Sequence, residues 1–200
     1  MATAQVKPKR KSPTRWIIAA ILLVIIYIQV QDQPYHLLPE ENTTPAAPIT
    51  ELHPVVLAQK NRLVAKTREL GIKIIVTDGY RSHEEQDRLY EQGRSAPGDI
   101  VTQARGGQSM HNYGLAIDFA LWNNEGQVIW DLEYDGNRNG KSDWMEVVAI
   151  AKDLGFQWGG DWASFPDYPH LQMDFGLSLR ELQRGKRPPI ESAPSLEALK

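Results

Sequence analysis

The stretch Ser109-Met110-His111-Asn112-Tyr113-Gly114-Leu115-Ala116-Ile117-Asp118 sets a histidine seven residues before an aspartate, and the aspartate lies inside an apolar run at 115–121. A bounded apolar run of that length reads as a buried strand. Far downstream, Asp167-Tyr168-Pro169-His170 offers a second histidine, fixed by the preceding proline, with an aspartate three residues before it. Two imidazoles and a carboxylate, His111, Asp118 and His170, form a candidate zinc site with three protein ligands. That ligand count leaves a fourth position for water, the mark of a catalytic rather than a structural zinc. Taken singly, either histidine reads as a core or loop residue more often than as a ligand, and spacing alone leaves both readings open.

Upstream, Val55, Val56, Leu57, Leu63, Val64 and Leu70 give the apolar face of a helix that begins near Pro54 and is ended by Gly71. Residues 72–77 (IKIIVT) are rich in β-branched side chains and read as a strand, with 78–81 as the turn at its end. Ser82-His83-Glu84-Glu85 is a capping box that opens a helix to about Gly93. Residues 94–108 form a long loop leading to His111. Downstream, 127–130 reads as a strand and 143–154 (DWMEVVAIAKDL) as an amphipathic helix closed by Gly155. Residues 156–158 and 171–175 read as the last strands and 178–184 as a final helix. There are no internal repeats. Helices and short strands without a regular βαβ rhythm point to an α+β fold, a small antiparallel sheet with flanking helices.

The ends of the chain differ from this domain, which is expected over 51–184. The first 30 residues hold five bases (Lys7, Lys9, Arg10, Lys11, Arg15) and no acid. Removing them from the chain's 22 leaves 17 bases against 25 acids, a net charge of −8. An acidic body of that kind argues against nucleic acid as a partner. Residues 16–30 (WIIAAILLVIIYIQV) are apolar except for Gln29 and read as a single transmembrane signal-anchor, the basic segment 1–15 staying cytoplasmic and the rest of the chain outside. The alternative is a cleavable signal peptide, whose apolar core runs to about 15 residues; Gln31-Asp32-Gln33-Pro34 offers no small-residue cleavage pattern. Residues 31–50, with Pro34, Pro39, Pro45 and Pro48, read as a linker, and 185–200 as a loose tail. The chain has no cysteine, so any metal must be held by His, Asp or Glu.

Ser109-x-His111-x-x-Gly114-x-Ala116-x-Asp118 followed by Asp167-x-Pro169-His170 resembles the signature of the VanY/VanX-like zinc metallopeptidases. Gly79-Tyr80-Arg81-Ser82 and Gly155-Phe156-x-Trp158-Gly159-Gly160-Asp161-Trp162 match in the same order, so the resemblance covers about residues 52–176. It implies the hedgehog/D-Ala-D-Ala peptidase-like fold, zinc on His111, Asp118 and His170, and action on bacterial cell-wall peptides. A carboxylate near the metal must take a proton from water and hand it to the leaving amine; the resemblance gives that role to Asp167, where the alternative is an Asp in a turn. It sets Arg81 facing the scissile carbonyl, where its charge would stabilise an oxyanion; the alternative is a surface ion pair with Asp78 or Glu85. Ser109 is expected to bind substrate or orient its loop. Trp158 and Trp162 are candidates for lining the cleft, Trp162 as a substrate contact, with core packing expected of at least one. Gly114 is expected to serve the backbone.

The Asp-x-Pro-His form resembles the branch that cuts between L-Ala and D-Glu. The expected partners are peptidoglycan stem peptides, reached by a membrane-tethered monomer. The rivals are a D,D-carboxypeptidase on the same fold and a non-catalytic, zinc-containing wall-binding module. A second metal motif stands apart. Asp135-x-Asn137-x-Asn139-Gly140-x-x-Asp143-x-x-Glu146 fits the twelve-residue calcium loop, with oxygen ligands at positions 1, 3, 5, 9 and 12 and glycine at 6. No helix precedes it, and a polar Asn/Gly turn is the alternative.

Overall fold

The computed structural model describes residues 48–190. The expected basic segment and anchor, the linker up to residue 47, and the tail from residue 191 lie outside the described residues. Among the described residues, no helix is long and apolar enough to cross a membrane.

The elements follow in the order α1 (Pro54–Glu69), β1 (Ile74–Asp78), α2 (His83–Glu91), β2 (Ala116–Trp122), β3 (Val128–Ile129), α3 (Asp143–Asp153), β4 (Gln157–Trp158), β5 (His170–Gln172) and α4 (Leu179–Gln183). Single 3-10 turns occupy Met110–Tyr113 and Gly159–Asp161. The sheet runs β1-β2-β5-β4, with β3 paired to the far end of β2, and every pairing is antiparallel. This is the α+β architecture that the irregular alternation of helix and strand implies.

Element ends differ from the sequence reading for local reasons. The strand expected from residue 72 begins at Ile74, because the Ile72 N–H bonds back to the Thr67 carbonyl at 3.0 Å and closes α1. Ile72 is then a fully buried plug rather than a strand residue. The last strand stops at Gln172, well short of Phe175, whose φ of 53° is incompatible with a strand. The sheet ladder nonetheless gains one more bond, from the Met173 N–H to the Leu115 carbonyl at 2.9 Å.

β2 is the centre of the sheet, and its side chains alternate in size as well as in direction. Ile117, Phe119 and Leu121 fill one face, where Phe119 lies against Trp144 of α3 with ring centroids 4.5 Å apart. Ala116, Asp118 and Ala120 occupy the other. Small neighbours there leave Asp118 room for partners on adjacent strands. α1 adds Val56 and Leu63 to the core, and α3 adds Trp144, Val147, Val148 and Ala151. α3 starts at Asp143 as expected, capped by the Ser142 hydroxyl, which accepts the Met145 N–H.

Candidate metal centre

Three adjacent strands build the site. Asp118 on β2 pairs directly with Asp78 on β1 and with His170 on β5. Two aspartates facing each other across a strand pair repel, and Arg81 lies between them. Its Nε and Nη2 both donate to Asp78 Oδ2, and Nη2 stands 3.8 Å from Asp118 Oδ2. His111 comes from the 3-10 turn that leads into β2. Ser109 caps this turn, its hydroxyl accepting the His111 N–H at 3.3 Å, and Gly114 ends it at φ 66°. A Cβ on Gly114 would collide with the Glu51 carbonyl, so glycine is required on both counts.

His111 Nε2, His170 Nδ1 and Asp118 Oδ1 meet within 3.3 Å of one another. Among the described residues, this is the one group of His, Asp or Glu side chains whose ligand atoms come together in this way. The partners of the remaining ring nitrogens assign the tautomers. His111 Nδ1 lies 2.6 Å from the Gly79 carbonyl, which can only accept, so the proton sits on Nδ1 and Nε2 keeps its lone pair.

His170 is fixed by a longer chain of bonds. Asp174 Oδ2 accepts from Gln157 Nε2 at 2.6 Å, Gln157 Oε1 accepts from Gln172 Nε2 at 3.0 Å, and Gln172 Oε1 faces His170 Nε2 at 3.0 Å. Because the chain starts with Gln157 donating to a carboxylate oxygen, each amide has one orientation. His170 therefore donates through Nε2 and turns the lone pair of Nδ1 inward. Two nitrogen lone pairs and a carboxylate oxygen at such spacing can hold a cation among them. The donor set fits zinc, and the outer hydrogen bonds are of the kind that orient its ligands.

The charges respond to this crowding. Burial works to raise the Asp118 pKa, but hydrogen bonds and charge from His111 and His170 outweigh it and hold the carboxyl well below the usual range. Burial works to lower His170, and Asp118, with help from Gln172, overcomes it and raises the imidazole. Asp167 goes the other way: burial, with the negative charge of Asp118 adding to it, raises its pKa despite the neighbouring imidazoles and Arg81.

These groups open on a cleft of about 750 Å³ whose lining includes Arg81, Ser109, Asp167 and Trp162. Asp167 reaches it because the 167–170 segment lies tight against Gly159. The Asp167 N–H bonds to the Gly159 carbonyl at 3.0 Å, and a Cβ on Gly159 would strike the Asp167 carbonyl and the His170 Cβ. Of the two tryptophans, Trp158 packs in the core at 8% exposure and donates through Nε1 to the Tyr168 carbonyl. Trp162 stays 37% exposed in the cleft, its ring 5.1 Å from that of His170. Arg81 pairs with Asp78 and also lines the cleft; the alternative pairing with Glu85 does not form, because Glu85 caps α2 instead.

Two buried amides have no counterpart in the sequence reading. Gln86 accepts from Arg81 Nη1 at 2.8 Å and donates to the Ala104 carbonyl, tying the long loop to the arginine. Asn112 Oδ1 takes the N–H groups of Gly107 and Ser109, and its Nδ2 donates to the Arg81 carbonyl at 2.9 Å, joining the histidine turn to the arginine. Asn112 directly follows His111, and Gln86 sits one helical turn after the capping serine of α2. Those positions are the only signal the sequence carries for them.

The calcium motif forms a separate loop. None of Asp135, Asn137, Asn139, Asp143 and Glu146 lines the cleft. The other histidines among the described residues stand apart as well: His53 caps α1 and His83 opens α2.

Residues 102–173, which contain His111, Asp118, Asp167 and His170, match a family described as D-alanyl-D-alanine carboxypeptidase. The chain is 61% identical over 124 residues to the peptidoglycan L-alanyl-D-glutamate endopeptidase CwlK of Bacillus subtilis (strain 168), covering 62% of this chain and 74% of that protein. The L-alanyl-D-glutamate peptidase of Listeria phage A118 is 29% identical over 144 residues, 70% of this chain and 44% of the phage protein. The crystal structure of the Serratia marcescens L-Ala D-Glu endopeptidase ChiX aligns with a TM-score of 0.41 at 27% identity, over 66% of this chain and 84% of that one.

Proposed function

The chain belongs to the VanY/VanX-like metallopeptidase family, and from that premise we propose that it is a zinc-dependent endopeptidase hydrolysing the L-Ala–D-Glu bond of peptidoglycan stem peptides. One observation carries the chemistry: two imidazole lone pairs and a carboxylate oxygen converge beside Asp167 and Arg81 in one cleft. The choice of bond is supported by the names of the two curated relatives, and the description of the matching family keeps D,D-carboxypeptidase as the rival.

His111, Asp118 and His170 hold the metal. Zinc in that position supplies Lewis acidity, which makes water a competent nucleophile near neutral pH. Asp167 takes the proton of the attacking water and passes it to the departing amine. Its raised pKa suits a group that must both accept and return a proton. Arg81 spends three of its five N–H groups on Asp78 and Gln86. The two left over stabilise the charge that develops on the scissile carbonyl oxygen. Asp78 and Gln86 hold the guanidinium still while it does so. Ser109 and Trp162 line the substrate path, Trp162 offering an apolar face beside the metal ligand His170.

The test is Asp167→Ala. The variant is expected to bind one equivalent of zinc and to lose turnover of a defined stem peptide. Undiminished hydrolysis would remove Asp167 from the base role. Zinc binding without turnover in the wild type would favour the wall-binding module instead.

The same proposal includes the setting of the domain. Residues 1–15 remain cytoplasmic, 16–30 anchor the chain in the membrane, and 31–50 tether a monomeric peptidase domain at 51–184, with 185–200 as a tail. The intact mass of the protein recovered from a membrane fraction tests it. A mass lacking the first 30 residues or so, in a soluble fraction, would establish secretion after cleavage.

A further inference from the structure

Asp143, the first residue of α3, is 3% exposed. Its Oδ2 accepts the Gly136 N–H at 3.1 Å, so the carboxylate lies on the loop that precedes the helix. Its Oδ1 is buried without a hydrogen-bond partner. A buried carboxylate oxygen left unpaired is costly and calls for an explanation. Burial raises the Asp143 pKa against the lowering pull of the Gly136 and Asn137 N–H groups, and the charges of Asp135 and Glu146 add to the rise, so three acidic groups already share this corner of the fold.

The loop around Asp143 is wound tightly. The Asp135 carboxylate accepts the N–H groups of Asn139 at 3.1 Å and Gly140 at 2.9 Å. Glu146, three residues after Asp143 on α3, receives Asn139 Nδ2 on both oxygens, at 2.9 and 2.8 Å, and Asn137 Nδ2 at 3.3 Å. The side chains of Asn137, Asn139 and Glu146 thus converge, with the unpaired oxygen of Asp143 on the same loop.

We propose that Asp135, Asn137, Asn139, Asp143 and Glu146, with the backbone carbonyl of Lys141, hold one calcium ion. The donors are all oxygens, about seven of them when Glu146 binds through both. That number suits calcium, whereas magnesium demands six at shorter distances and zinc favours nitrogen or sulfur. The three carboxylates do not close on one another as the zinc trio does. Binding therefore turns the Asn139 side chain so that its Oδ1, rather than its Nδ2, faces Glu146 and the ion. Two neutral amides among the ligands keep the affinity modest, with a Kd on the order of 10⁻⁴ M. Asn137 also donates to the Leu70 carbonyl at the end of α1, at 3.2 Å, so the ion stitches the start of α3 to the end of α1.

The experiment is a calorimetric titration of calcium chloride into chelator-treated, zinc-reloaded full-length protein, paired with thermal melts. One site per chain is expected. At about ten times the Kd, Tm should rise by about 4 °C relative to sodium chloride of equal ionic strength. Glu146→Gln and, separately, Asp135→Asn should each remove most of that rise and the binding heat. Absence of binding heat in the wild type at 10 mM calcium would overturn the proposal. So would an equal rise with sodium chloride, or a calcium response that survives in a folded Glu146→Gln variant.

Discussion

Replacing Gln172 by leucine should weaken zinc binding by about 10- to 100-fold. The substitution keeps much of the side-chain volume and removes the acceptor that holds the proton on His170 Nε2. In the wild type that proton cannot move inward, because Asp174, Gln157 and Gln172 orient one another in turn. Without the acceptor, the ring is free to place its proton on Nδ1 and donate to Asp118 Oδ1, 3.3 Å away. A hydrogen bond to a charged acceptor contributes about 1.5–3 kcal/mol. Zinc must displace it, and at about 1.4 kcal/mol per tenfold this gives the stated loss. The assay is competition with a chromogenic zinc chelator at pH 8, with circular dichroism confirming that the variant is folded. Asp174→Asn touches the chain at its exposed end, where water can take over, and should cost less than about threefold. Unchanged zinc affinity in Gln172→Leu, or equal damage from the two variants, would refute the relay.

In the metal-free protein, Asp167→Asn should be more stable than the wild type at pH 7. The folded pKa of Asp167 is raised, so its contribution is fully present below the ordinary carboxylate value and is lost as pH rises through the raised one. The difference in Tm between variant and wild type should therefore close as pH falls below about 4; a gap that persists there would exclude desolvation as its source. Zinc affinity should fall as pH is lowered through the raised pKa of His170, since the metal competes with a proton for Nδ1; a pH-independent affinity between 6 and 8 would contradict that coupling. Phe119→Ala, which empties the fully buried contact with Trp144, should cost about 3–5 kcal/mol in denaturant unfolding and leave zinc stoichiometry unchanged.

Much of the site is legible in the sequence because its candidate metal ligands interrupt patterns. Asp118 stands out as a charge within an apolar strand, and His170 follows a proline, although the residues before it form a turn rather than an extended segment, closed by the His170 N–H on the Asp167 carbonyl at 3.3 Å. The pairing that unites them is not legible: β2 and β5 are joined over a long intervening chain, and no local signal states that Asp118 faces His170 on one side and Asp78 on the other. Groups that aim the ligands are harder still. The Gly79 carbonyl is backbone, and Gln172, Gln157, Gln86 and Asn112 are amides whose roles depend on burial and direction. The two tryptophans make the same point. Composition marks both as candidates, and only the turn at Gly159–Asp161 sends one into the core and the other into the cleft. Strand ends shift where a single bond or dihedral intervenes, as at Ile72 and Phe175.

The central claim is tested most directly by the masses of the products from a defined stem peptide, L-Ala-D-Glu onward, incubated with the full-length protein, then with chelator, then with zinc restored. The account predicts release of L-Ala from the remaining peptide, lost on chelation and recovered with zinc. Release of a single D-Ala from the other end, or a cut after L-Ala that persists without metal, would contradict it.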